Sequence, residues 1–119
     1  MNMPRITAAL LALACLQAPA QPAAAEDPAQ AALKAVAELA RINGQALACQ
    51  HAGVARRAKA LMLAHAPKTA RFGSTYEDGT QQAFLAQTRE GSCPGAALLD
   101  TQLDTLQPQL RRVLPVAGS

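Results

Sequence analysis

No proline falls between Pro28 and Pro67. Within that stretch apolar or small residues recur at Leu33, Val36, Ala40, Leu47, Val54, Ala58 and Leu61, in phase with a 3.6-residue period for about 30 residues. A strand alternates with period two, so this pattern demands either one long helix or two helices meeting at Asn43-Gly44. Asp27 suits the N-cap and Pro28 the first turn, while Ala66-Pro67-Lys68-Thr69 closes the region. On a wheel of 100° per residue, Cys49 points away from the stripe and shares its side with Ile42, Ala46, Gly53 and Ala60. Such a helix has two contact faces, one leucine-bearing and one built of small residues, as a central helix with partners on both sides requires.

The rest of the chain continues in helical phase. Ser74 followed by Glu77 reads as a capping box, which predicts a helix from about Thr75 to Arg89 with Tyr76, Thr80, Ala83, Phe84 and Gln87 on its apolar side. Gly91-Ser92-Cys93-Pro94-Gly95 reads as a turn. A last helix carries Leu99, Leu103, Leu106, Leu110 and Val113, with a kink or short break expected near Leu106-Gln107 because Pro108 removes a hydrogen bond. Composition agrees, since 29 of the 119 residues are alanine and the aromatics are Phe72, Tyr76 and Phe84 alone. Strands draw on β-branched and aromatic residues, so composition argues against a β-sandwich or barrel. The sequence therefore predicts an all-α domain, a small bundle of three to four antiparallel helices.

Residues 1–25 read as an export signal rather than as fold. Arg5 supplies a positive start, Ile6 to Leu16 form a short apolar run, and Ala18-Pro19-Ala20 and Ala23-Ala24-Ala25 offer small-residue cleavage sites. The run is too short to span a bilayer, which takes roughly 20 apolar residues. Cleavage after Ala25 is the preferred reading, with Ala20 as its rival. Ala12-Leu13-Ala14-Cys15 also resembles the lipobox of bacterial lipoproteins, which would make Cys15 a lipidated N-terminus. The expected location is the periplasm, free or anchored through Cys15, with 26–119 as a single helical domain and no membrane-spanning segment left once the signal is removed.

That domain has a thin core. From Glu26 to Ser119 only 20 residues are Leu, Ile, Val, Phe or Met, and a small alanine-rich domain needs an added constraint. Cys49 and Cys93 are its only cysteines, and export places them where disulfides persist. They are expected to form one disulfide, for which a closed loop of about 44 residues gives on the order of 4 kcal/mol.

Few residues suit chemistry. His51 and His65 are 14 apart, which on one helix separates them by about 21 Å, too far to share a metal. Met62 and His65, at i and i+3, offer a thioether and an imidazole to copper, but two ligands do not complete a site. Cys49-Gln50-His51 lacks the second cysteine of a haem attachment motif, and no Cys-x-x-Cys occurs. Arg56, Arg57, Lys59, Lys68 and Arg71 form an acid-free basic run suited to an anion such as phosphate, lipid A or an acidic partner. It also fits a solvated helix face, and without interleaved aromatics it does not point to nucleic acid. Asp100 and Asp104 stand one turn apart with no nucleophile or oxyanion donor in prospect, and read as surface charge. The expectation is a non-enzymatic binding or accessory module with no cofactor, whose partner is another periplasmic or envelope protein. The alternatives are a holdase-like stress chaperone, which would open to expose its leucine faces, and a metal or anion binder.

Overall fold

The computed structural model describes residues 27–114, so the signal reading, its cleavage sites and Cys15 lie outside the described residues. Those residues form four helices, α1 (Pro28–Ala48), α2 (Ala52–His65), α3 (Ala70–Glu90) and α4 (Ala96–Val113). The all-α bundle expected from periodicity is the observed fold, and a disulfide joins Cys49 to Cys93 with their Cα atoms 5.7 Å apart.

α1 begins where expected, with Pro28 in its first turn and the Asp27 carboxylate accepting from Ala29 N–H at 3.1 Å. It does not end at Asn43-Gly44. Both residues lie buried inside α1, and the chain turns at Cys49-Gln50-His51 instead. There Gln50 takes a left-handed conformation (φ 59°), His51 N–H donates to Ala46 C=O at 2.8 Å, and Gln50 N–H to Leu47 C=O at 3.3 Å. These two bonds form a Schellman motif with glutamine in the position that glycine normally holds.

The turn reassigns the faces of α1. Val36, Leu39, Ile42 and Ala46 point into the core with Val54, Ala58 and Leu61 of α2 and Leu99, Leu103, Leu106 and Leu110 of α4. Of the expected leucine-bearing stripe, Ala40 faces α3 and Leu47 is 47% exposed. Gly53 and Ala60, expected on the side of Ile42 and Ala46, are exposed because the turn resets the phase. The inference of a central helix holds. α1 packs against the other three helices, α2 also meets α4, and α3 touches α1 alone.

Successive helices alternate in direction, which sets α1 parallel to α3. Gly79 lies against Ala40 and Gly44 against Ala83 and Thr80, so the register rises along both helices together. A Cβ placed on Gly44 would stand 2.6 Å from Ala83 Cβ and 2.8 Å from Phe84 N, and one on Gly79 would stand 2.8 Å from Ala40 Cβ. Gly44 is thus spent on close helix approach rather than on a turn. Along the same seam Asn43 donates from Nδ2 to Thr80 Oγ1 at 3.2 Å.

α3 starts five residues before the capping-box reading placed it. Ser74 and Thr75 lie within the helix, both donating from their hydroxyls to Arg71 C=O, one turn back. α3 ends at Gly91, whose φ of 79° gives the expected turn. α4 runs without a break through Pro108. Pro108 is exposed, so the Asp104 carbonyl it deprives of a partner lies on the face where water can replace the bond.

Candidate functional site

α2 and α3 each pack on α1 while their own backbones stay apart, and between them an open groove remains. Asn43 and Leu47 of α1 form its floor. One lobe, of about 470 Å³, lies along Ala52, Ala55, Arg56 and Lys59 of α2, and the second, of about 330 Å³, along Thr80 and Phe84 of α3. Both lobes share Asn43, Leu47 and Tyr76, which makes them one continuous depression.

The groove is apolar where large side chains meet it. Leu47 and Phe84 are 47% and 38% exposed, and Tyr76 is half-buried with its hydroxyl oxygen buried and unpartnered among the described residues. Burial pushes the Tyr76 phenol up to about 12, since it penalises the charged phenolate. The rims differ in charge. α2 contributes Arg56 and Lys59, neither of which makes an ion pair or hydrogen bond with a described residue, whereas α3 contributes Glu77.

The predicted basic run is divided by the fold. Arg57 faces α4, donating from Nη1 to Asp100 Oδ1 at 3.3 Å and to Asp100 C=O at 3.2 Å, and from Nη2 to Asp104 Oδ1. The hydrogen bond it donates to Asp104 raises the Arg57 guanidinium above its ordinary value. Asp100 and Asp104 therefore act together, as the clasp that holds one arginine. Lys68 borders a separate hollow of about 220 Å³ beside Met62 and Gly73, and Arg71 stands in the first turn of α3, lining neither depression. Only Arg56 and Lys59 of the five border the groove.

The remaining candidates are placed as follows. His51 caps α2 without a side-chain cap bond, and its Nε2 lies 2.9 Å from Pro94 C=O, beside the disulfide. Gln87, buried in α3, donates from Nε2 to Ser92 C=O at 2.6 Å. Three links thus hold the Ser92-Cys93-Pro94 turn. Met62 is partly buried against the core, and His65 Nδ1 is buried without a partner. Among the described residues no three His, Cys, Asp or Glu side chains converge as metal ligands, and no helix is long and apolar enough to cross a membrane.

The groove itself was not legible in the sequence. Periodicity puts Tyr76 and Phe84 on one apolar side and Leu47 on the leucine-bearing stripe, and the gap between α2 and α3 depends on how both seat on α1. A second, more polar depression follows the α1–α4 seam past Glu38, Gln102 and Gln109, where Arg41 binds Glu38 and donates to Gln102 Oε1 at 3.1 Å. No protein-family model matches the chain, and neither a curated protein nor a solved structure is significantly similar to it.

Proposed function

We propose that this chain is a small exported, non-enzymatic helical binding module, and that its working surface is the groove between α2 and α3, where another protein of the cell envelope docks. The observation that carries the reading is the groove's composition: Leu47, Tyr76 and Phe84 border one depression, two of them well exposed in a domain with few large apolar residues to spare. Exposed apolar surface gathered in a concave site marks a place of contact. The Ile6–Leu16 run followed by small residues supports export, and the Cys49–Cys93 disulfide suits an oxidising compartment.

The test is site-specific photo-crosslinking in a Gram-negative host that exports the protein under its own leader. A photoreactive residue at Leu47, in the groove, is expected to give a discrete adduct, while one at Leu98, 54% exposed on α4, gives none. Equal adducts from both positions, or none from Leu47 in the exported protein, would remove the groove as the working surface. Intact mass of the same material checks export independently: a start near Glu26, two hydrogens light, is the expected result, and an acylated start at Cys15 identifies an anchored form.

A further inference from the structure

From the charge and shape of the groove we infer that its occupant is an amphipathic α-helix of the partner, with acidic residues on the flank that faces α2; this rests on the groove being the docking surface. Shape gives the first argument. α2 and α3 both pack on α1 while their own backbones stay more than 8 Å apart, Cα to Cα, so the depression is bounded by two helices and floored by a third, the seat that a further helix occupies in a bundle. From Tyr76 to Phe84 the α3 rim rises about 12 Å, and from Ala52 to Lys59 the α2 rim rises about 10 Å, roughly two turns of a docked helix. Two turns present apolar residues at i, i+4 and i+7, the pattern by which helices read grooves.

Charge gives the second argument, and it selects the partner's chemistry. α2 contains no acidic residue, and of its arginines and lysine, Arg57 is satisfied by Asp100 and Asp104. Arg56 and Lys59 are left on the groove rim without a carboxylate among the described residues. A glutamate or aspartate on the near flank of a docked helix supplies the counter-charge that α2 lacks. Such rim pairs select among partners and speed encounter more than they add affinity.

The experiment uses the oxidised exported protein and three synthetic peptides with the same leucine face at i, i+4, i+7 and i+11, whose flanking positions are all Glu, all Gln or all Lys. Tyr76 is the only tyrosine and the chain has no tryptophan, so with Tyr- and Trp-free peptides its emission reports the groove alone. The Glu peptide is expected to bind saturably and about tenfold more tightly than the Lys peptide, with added salt shrinking the difference. In the Arg56→Gln/Lys59→Gln variant the ratio of Glu-peptide to Lys-peptide affinity is expected to fall to about one; unchanged circular dichroism confirms the fold. Equal binding of the three peptides, or a preference that survives in the variant, overturns the acidic partner while leaving the groove as a docking surface. Tighter saturable binding of monomeric dodecanoate than of any peptide overturns it in favour of a lipid-like ligand. If no peptide binds and Leu47 nonetheless crosslinks in the cell, the helical occupant is wrong; if Leu47 also fails to crosslink, the groove reading falls with it.

Discussion

Tyr76 carries the most informative single side chain in the fold. Its ring borders both lobes of the groove while its hydroxyl is buried without a partner among the described residues. A buried polar group lacking a hydrogen bond costs about 1–3 kcal/mol, so Tyr76→Phe is expected to stabilise the free protein by about 1 kcal/mol, read by urea denaturation at neutral pH. The same residue sets an alkaline limit. The folded chain holds the phenol proton up to about 12, whereas an unfolded tyrosine releases it near pH ~10. The preference for the protonated form therefore stabilises the fold fully below the unfolded value, and this contribution is lost as the pH rises through the folded one. Tyrosinate absorbance should appear late and together with unfolding, and Tyr76→Phe should flatten the stability slope over that window. A simple titration at the ordinary tyrosine value would show that the ring is not buried as described. Arg57 makes the complementary point, since in the sequence it is one of five similar cations, and only its reach to Asp100 and Asp104 separates it from Arg56 and Lys59.

At the scale of elements, the α1–α3 pairing rests on small residues. Gly44 and Gly79 let the two helices approach so closely that a methyl group at either position would strike its neighbours. Because Gly44 faces the backbone of α3, Gly44→Ala must push the helices apart and is expected to cost about 1–3 kcal/mol. Gly53→Ala meets nothing within 4 Å and should gain up to about 1 kcal/mol from helix propensity alone. Thermal unfolding of the pair checks the claim, and similar small gains in both would show that α3 is not seated tightly on α1. The turn between α1 and α2 lies after Ala48, beyond the Asn43-Gly44 pair where residue types alone suggest a break. Asn43-Gly44 has the residue types of a turn, yet tertiary contact uses both inside the helix, and the actual reversal uses Gln50, a residue with no left-handed preference. The Ser74–Glu77 pair failed for a related reason: the apolar contacts of Phe72 and Tyr76 with the core extend α3 back to Ala70, past the capping signal.

For the whole molecule, the disulfide is the largest single constraint. It ties the α1–α2 corner to the start of α4 across 44 residues, and loop-closure entropy assigns it on the order of 4 kcal/mol, comparable to the net stability of a small domain. The Cys49→Ser/Cys93→Ser variant is expected to lose most of its stability, with guanidinium titration measuring the drop. The His51–Pro94 and Gln87–Ser92 bonds hold the same turn without covalent help, so a loss under 1 kcal/mol would mean that they suffice. By itself the sequence determined the helical class, the start of α1, the leucine seam of α4, the Cys49–Cys93 pairing and the central place of the first helix. Each of these follows from local periodicity, capping or the count of available partners. Only the tertiary structure decided where the first helical region turns, which α1 residues face which neighbour, which of five cations is held by Asp100 and Asp104, and that α2 and α3 stay apart to leave a groove. Those depend on contacts between residues distant in the chain, where the close approach permitted by Gly44 and the reach of Arg57 outweigh the propensities of the residues alone.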